Sequence, residues 1–153
     1  MRIAVLTFEG FNELDSFVAS AMLNRVKRPE LRALIVCPAR RVASMNGVVV
    51  RSQAPLSFAR EAEAVIVGSG RGTRGVVRDP ALMEELGLDP SRQIIGAQCS
   101  RALVLAKLGL LGNELRAAGV MAIEMFDNDA GFRNDLAARV VLQHREFADW
   151  PQF

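Results

Sequence analysis

A cysteine stands at a turn between a predicted strand and a predicted helix, and this position has the most evident chemistry. Residues 93–95 predict the strand and residues 101–107 the helix, with Gly96, Cys99 and Ser100 between them. A thiol at the first turn of a helix lies against unpaired N–H groups and the positive end of the dipole, which stabilise a thiolate. Small residues let such a turn bend sharply and lift the side chain above the sheet edge, as in the G-x-S-x-G turn of hydrolases. Cys99 is therefore a candidate nucleophile, although Arg101 stands where a second glycine is expected.

Two further loops follow predicted strands and carry groups that can assist a thiol. In residues 8–15, Asp15 is a candidate general acid, because burial and a neighbouring thiolate favour the protonated form of a carboxyl group. In the second loop, backbone N–H groups near Gly68, Ser69 and Gly70 can stabilise negative charge that develops on a substrate. Parallel strands end at one edge of a sheet, so the three loops are expected to converge there.

Less specific interpretations remain open for several of these residues. Cys99 can also be a core cysteine. Asp15 can be an ordinary helix N-terminal carboxylate, favourable to the dipole by about 0.3 to 1 kcal/mol, and Glu13 can be the exposed cap residue. Cys37 has no comparable setting and is predicted to pack in the core, and His144 is interpreted as a solvated helix residue. The glycine-rich loop matches no P-loop spacing and lacks the Lys-Ser/Thr ending, which argues against a phosphate cradle.

Buried strands alternate with amphipathic helices along the chain, which predicts an α/β fold with a parallel sheet covered on both faces. The strands are predicted at residues 3–8, 31–36, 63–67 and 93–95, and helices at residues 14–22, 80–86, 101–107 and 131–147. Asn46-Gly47 is a strong hairpin-turn dipeptide and predicts an inserted β-hairpin between residues 42–44 and 48–51.

Length and composition restrict the class of protein. The 153 residues predict a single domain over residues 1–153 that buries about 70% of its unfolded surface. A net charge of +2 and an aromatic fraction of 6% argue against a nucleic-acid partner. The two cysteines are expected to stay reduced. No signal-peptide pattern occurs at the N-terminus and Lys107 interrupts the longest apolar stretch, so we expect a cytoplasmic protein without a membrane partner.

Four segments together resemble the DJ-1/PfpI superfamily and, within it, the isonitrile hydratase-like branch. They are residues 8–15 (FEGFNELD), 44–47 (SMNG), 67–72 (VGSGRG) and the helix after the Cys-Ser pair (ALVLAKLGLL). The likeness covers residues 2–112 nearly continuously. It implies a flavodoxin-like, doubly wound and mainly parallel sheet with a β-hairpin insertion. It also implies that Cys99 is the reactive thiol, that Asp15 hydrogen-bonds to it, and that Ser100 lines the site.

The same resemblance implies a function. In isonitrile hydratases a thiolate attacks the terminal carbon of the isonitrile, and protonation and addition of water give an N-substituted formamide. The implied protein is a homodimeric enzyme that acts on a small-molecule substrate without a metal or an organic cofactor. The alternative is a catalytically inactive member, which senses oxidation at its cysteine or binds a regulatory ligand.

Three features of the chain differ from the family's pattern. Arg101 replaces a small residue after the Cys-Ser pair, and a long cation there either fills the pocket or binds an anion. Ser69 stands where a Gly-Gly pair is usual. The C-terminal part is shortened, because Gly112-Asn113 runs almost directly into residues 114–119, where relatives carry further strands and often a histidine near the site.

Overall fold

Short strands and helices alternate along the part of the chain that the structure describes. The computed structural model describes residues 1–26 and 28–110, so the predicted helix at residues 131–147 and His144 lie outside the described residues. The elements are β1 (Arg2–Leu6), α1 (Glu13–Asn24), β2 (Arg32–Val36), β3 (Arg41–Ala43), β4 (Val49–Arg51), α2 (Phe58–Glu61), β5 (Ala64–Val67), α3 (Thr73–Arg78), α4 (Pro80–Leu86), β6 (Ile94–Ala97), a 3₁₀ turn (Cys99–Arg101) and α5 (Ala102–Lys107).

The described residues form a four-stranded parallel sheet in the order β2-β1-β5-β6. β1 pairs with β2 on one side and with β5 on the other, and β6 pairs with β5. β1 lies inside the sheet, β2 forms the edge on one side of it, and β5 and β6 follow on the other side. This is the flavodoxin-like winding. This order confirms the predicted α/β fold class. β3 and β4 form the separate antiparallel hairpin that Asn46-Gly47 predicts.

Alternate residues of β1 enter two different hydrophobic cores. Ala4 and Leu6 pack with apolar side chains from helices α2 to α5. Ile3 and Val5 point to the opposite face and pack in the cluster against which Leu23 of α1 lies. Because strand side chains alternate between faces, a strand that is buried throughout requires cover on both sides. Helices provide it here, as the sequence predicts.

Helix α1 was predicted from its apolar spacing, but the exposed and buried sides differ from what that spacing suggests. Leu14, Val18 and Met22 are 71%, 53% and 61% exposed. The side that faces the sheet includes the small residues Ser16, which is fully buried, and Ala19. Small side chains let the first turn of the helix come close to the ends of the strands. No helix within the described ranges is long and apolar enough to cross a membrane.

The glycine-rich loop after β5 lies directly against the loop after β1. The Asn12 N–H donates to the Ser69 carbonyl at 2.8 Å, and the Arg71 N–H donates to the Gly10 carbonyl at 2.9 Å. A Cβ atom at Gly70 would lie 2.7 Å from the Cα atom of Phe11 and would also overlap the Gly10 carbonyl. Only glycine fits between these two backbones.

The hairpin is anchored to the start of α1 through Glu13. The Ser44 hydroxyl donates to Oε1 of Glu13, and the Asn46 side-chain amide donates to Oε2 at 3.1 Å. These bonds, that from Ser44 foremost, lower the pKa of Glu13 below its ordinary value of 4.5. The helix cap is Asn12, whose side chain accepts from the Leu14 N–H at 3.1 Å, so the interpretation of Glu13 as the cap is wrong.

The lowered pKa of Glu13 predicts a pH-dependent contribution to stability. A carboxyl group with a depressed pKa in the folded state stabilises the fold above its unfolded pKa, and this contribution is lost as the pH falls through the folded pKa. We expect Glu13→Gln to lower the free energy of unfolding at neutral pH, and the difference from wild type to shrink below pH 4.5. Urea titrations across this range measure it. Glu84→Gln, which removes the same charge from an exposed position of α4, should show no such pH-dependent difference, and equal pH profiles for the two variants would contradict the assignment.

The close approach of the two backbones at Gly70 predicts that a side chain there destabilises the fold. Gly75 provides a control position. Gly70→Ala should lower the free energy of unfolding by about 1 to 3 kcal/mol, because the added methyl meets backbone that cannot move aside. Gly75 lies inside α3, and a Cβ there meets nothing within 4 Å. Gly75→Ala should therefore stabilise by about 0.5 to 1 kcal/mol through its helix propensity. Urea denaturation of both variants decides the point, and a neutral Gly70→Ala would show that the loops are not tightly packed.

Candidate active site

Cys99 occupies a left-handed backbone conformation at the turn between β6 and α5. Its φ is 48°, and no other non-glycine residue in the described ranges has a positive φ. Such a conformation costs on the order of 1 to 3 kcal/mol and persists only where the surroundings impose it. Two hydrogen bonds hold the backbone on either side of it, from the Gln98 N–H to the Val67 carbonyl at 2.9 Å and from the Arg101 N–H to the Gln98 carbonyl at 3.1 Å. The bend leaves the Cys99 residue exposed.

The other cysteine has the opposite environment. Cys37 is 2% exposed and packs with Phe11, Ile35 and Val42, which confirms the predicted core position. Burial raises the pKa of its thiol to about 11. The two cysteines of the chain therefore differ sharply in access to solvent.

The Ser100 side chain is bound to the glycine-rich loop. Its hydroxyl lies 2.9 Å from the Thr73 hydroxyl and donates to the Gly70 carbonyl at 3.3 Å. Thr73 itself donates to the same carbonyl at 2.8 Å. Sequence analysis singled out Ser100 but missed Thr73, whose only signal is a hydroxyl residue directly after the glycine-rich segment. The predicted convergence of this loop with the turn at Cys99 is thus observed.

Arg101 turns inward from the same turn. It is fully buried, its Nε donates to the Gly68 carbonyl at 3.1 Å, and its Cζ lies 4.6 Å from the centre of the Phe8 ring. Burial lowers the pKa of the guanidinium to about 10, so it remains charged at neutral pH. The side chain does not extend into solvent. It contacts the glycine-rich loop at Gly68 and the loop after β1 at Phe8.

Asp15 lies in the first turn of α1, beside Ser16. A Cβ atom at Gly68 would lie 2.8 Å from the Ser16 hydroxyl, so this turn contacts the glycine-rich loop. Oδ2 of Asp15 is buried, and so is Oε1 of Gln98, and neither accepts a hydrogen bond within residues 1–26 and 28–110. No hydrogen bond joins Asp15 to Cys99 among these residues, so the pairing that the resemblance implies stays a prediction. Sequence analysis did not identify Gln98, which has no distinguishing pattern.

Two parts of the site fit the chemistry of a nucleophilic thiol. The first N–H groups of a helical turn have no acceptor within the helix; at the Cys99 turn these are the N–H groups that precede Arg101, whose own N–H donates to the Gln98 carbonyl. The loop of Gly68, Ser69 and Gly70 lies next to the turn through Ser100 and Arg101. No group of three or more His, Cys, Asp or Glu side chains that could hold a metal ion occurs in the described part of the chain.

The chain is similar in structure to several solved proteins at low sequence identity. A DJ-1 superfamily protein from Agrobacterium tumefaciens matches with a TM-score of 0.61 and 17% identity, over 74% of this chain and 61% of that protein. A putative transcriptional regulator from Vibrio parahaemolyticus matches with a TM-score of 0.65 and 21% identity, over 92% and 74%. A ThiJ/PfpI family protein from Pseudomonas syringae matches with a TM-score of 0.62 and 16% identity, over 99% and 76%.

These similarities establish the architecture. The chain spans about three fifths of the Agrobacterium protein and 57% of another solved neighbour. No protein-family model matches the chain, and no curated protein sequence matches it. The parallel sheet, the inserted hairpin and the turn at Cys99 therefore form an α/β structure with the fold of DJ-1/ThiJ/PfpI superfamily proteins.

Proposed function

We propose that the chain is a DJ-1/PfpI-type enzyme that uses Cys99 as the nucleophile in cofactor-free chemistry on a small electrophile. The observation that carries the proposal is the left-handed, exposed Cys99 at the carboxyl edge of the sheet. A strained conformation at an exposed reactive side chain indicates function, because a buried core position would not require it. The superfamily fold and the resemblance of residues 2–112 support the same assignment.

Hydration of an isonitrile is the reaction that we assign to the site. The Cys99 thiolate attacks the terminal carbon of R–N≡C, and a C–S bond forms as electron density moves onto the substrate. Asp15, acting as the acid, supplies a proton to give a thioimidate, Cys99–S–CH=N–R. Water then adds its oxygen to this carbon, one of its protons returns to Asp15, and the other moves from the new hydroxyl group to the nitrogen. Collapse of the adduct breaks the C–S bond, releases the thiolate and yields R–NH–CHO.

The loops supply the remaining contributions to this reaction. The buried Asp15 Oδ2 has no hydrogen-bond partner in the described ranges, so it is not occupied by another group of the protein. Backbone N–H groups of Ser69 and Gly70 and of the turn can stabilise negative charge on the substrate. Ser100, bound to Thr73 and to the Gly70 carbonyl, holds the turn against the loop. The homodimer and the cytoplasmic location stay predictions.

A sensing role is the second candidate. An exposed thiol is also what a cysteine-oxidation sensor requires, and the matching Vibrio protein is described as a putative transcriptional regulator. The two functions differ in turnover. An enzyme returns Cys99 to its thiolate after each cycle, whereas a sensor accumulates an oxidised or ligand-bound form.

Selective labelling tests the assignment of Cys99. Iodoacetamide at neutral pH should modify Cys99 rapidly and Cys37 slowly, because Cys37 is buried and its pKa is raised to about 11. Peptide mass spectrometry after timed quenching measures both rates in one sample. Unfolding in urea should bring the two rates close together, which controls for intrinsic reactivity. Equal protection of both cysteines in the folded protein would refute the proposed nucleophile.

Turnover of an isonitrile tests the reaction. Wild-type protein should convert a simple aryl isonitrile to its formamide, Cys99→Ala should abolish conversion, and Asp15→Asn should reduce kcat by about 10²- to 10⁴-fold through loss of the acid. Product is followed by chromatography.

Cys37→Ala is the matched control for the Cys99 variant and should retain activity. Rapid labelling of Cys99 without any formamide would exclude the hydratase and leave the sensing role. Activity that survives Asp15→Asn unchanged would remove Asp15 from the mechanism.

A further inference from the structure

Arg101 is a buried cation whose outer nitrogens have no hydrogen-bond partner among the residues that the structure describes. Nε is bound to the Gly68 carbonyl, but Nη1 and Nη2 are buried without a hydrogen-bond acceptor in the described ranges. The residue is fully buried, and no ion pair involves it within the same ranges. An uncompensated buried charge is strongly unfavourable, so a guanidinium retained here has a use that the hydration reaction does not explain.

The two unpartnered groups present a specific donor arrangement. With Nε occupied, Nη1 and Nη2 remain as a pair of donors on the outer edge of a planar cation. A carboxylate matches this edge, because its two oxygens accept parallel hydrogen bonds from a guanidinium. The guanidinium keeps its charge at neutral pH, since its pKa is about 10. The missing partner therefore has the chemistry of a small carboxylate.

The position of Arg101 relates this partner to the reacting thiol. Cys99, Ser100 and Arg101 form one 3₁₀ turn, with the thiol exposed and the guanidinium directed inward. The contact with the Phe8 ring holds the guanidinium near the turn at Cys99 without neutralising its charge.

We propose that Arg101 binds the carboxylate of a small electrophilic substrate while Cys99 attacks its reactive carbon. This deepens the proposed function and rests on it, because Cys99 must be the nucleophile. The substrate class is a small carboxylate-bearing electrophile, such as an isonitrile that carries an acid group.

Paired alkylating agents test the proposal. Iodoacetate and iodoacetamide react with a thiolate by the same displacement of iodide, so the ratio of their rates at Cys99 cancels any change in thiolate fraction. Arg101→Met should lower the iodoacetate-to-iodoacetamide ratio about tenfold relative to wild type, because the ion pair with the reagent is lost. Arg101→Lys, which keeps the charge but not the planar fork, should give an intermediate ratio.

Arg71→Met is the matched control. It removes an exposed arginine from the glycine-rich loop, and the ratio should stay at the wild-type value. Propionate should slow labelling by iodoacetate, whereas propionamide should not. A ratio that is unchanged in Arg101→Met, while iodoacetamide still labels Cys99 rapidly, would overturn the carboxylate site and leave the proposed nucleophile intact.

A second measurement does not depend on the thiol or on the stability of Arg101→Met. In Cys99→Ser protein, propionate should raise the thermal midpoint above that in sodium chloride of equal ionic strength, and Arg101→Lys in the same background should reduce this increase. No increase with propionate would overturn the carboxylate site even if Arg101→Met fails to fold. If propionate raises the thermal midpoint of Cys99→Ser but iodoacetamide does not label Cys99 in the wild-type protein, the result supports anion binding and rejects the proposed nucleophile.

Discussion

The contacts of residues 68–70 hold the site together. The Gly68 carbonyl accepts from Arg101, the Ser69 carbonyl from Asn12, and the Gly70 carbonyl from Ser100 and Thr73. The loop after β1, the glycine-rich loop and the turn before α5 are joined through these three consecutive carbonyl groups. The absence of a side chain at Gly68 and Gly70 lets the other loops approach closely enough to bond there. The position of every candidate catalytic group depends on this short segment.

Arg101 connects the stability of the fold with the chemistry of the site. Burial of a cation disfavours folding by several kcal/mol unless partners compensate. The Gly68 carbonyl and the Phe8 ring compensate only in part, because neither carries a negative charge. A small residue at this turn would avoid the cost, as it does in the pattern that the sequence resembles. The arginine therefore places a buried positive charge at the turn that carries Cys99.

Sequence patterns predicted the architecture well where an element is long or has a distinct turn signal. Pro80–Leu86 has the predicted bounds, the Asn46-Gly47 hairpin forms, and the strands of the sheet lie within a few residues of their predicted positions. Helices α2 and α3 were not predicted, because α2 has only four residues and α3 directly follows the glycine-rich loop and contains Gly75. The apolar series of α1 identified the helix but not its buried side. That side is set by the small Ser16 beside Gly68, a tertiary contact that periodicity does not encode.

The candidate site shows the same division between local and tertiary information. A strand followed by Cys-Ser and a helix is a local pattern, and it was enough to single out Cys99. The inward direction of Arg101 and the bonds of Thr73 depend on loops far apart in sequence, so no local pattern indicates them.

The two cysteines show what the fold adds to a side chain. Cys37 follows β2 and lies in an apolar cluster, where burial suppresses the thiolate. Cys99 follows β6 in a left-handed bend that has a hydrogen bond on either side, and the residue is exposed. Chemically identical groups at the ends of two strands of one sheet thus become a buried packing residue and an exposed thiol. The backbone of a single residue decides the difference, and the glycine-rich loop holds that backbone in place.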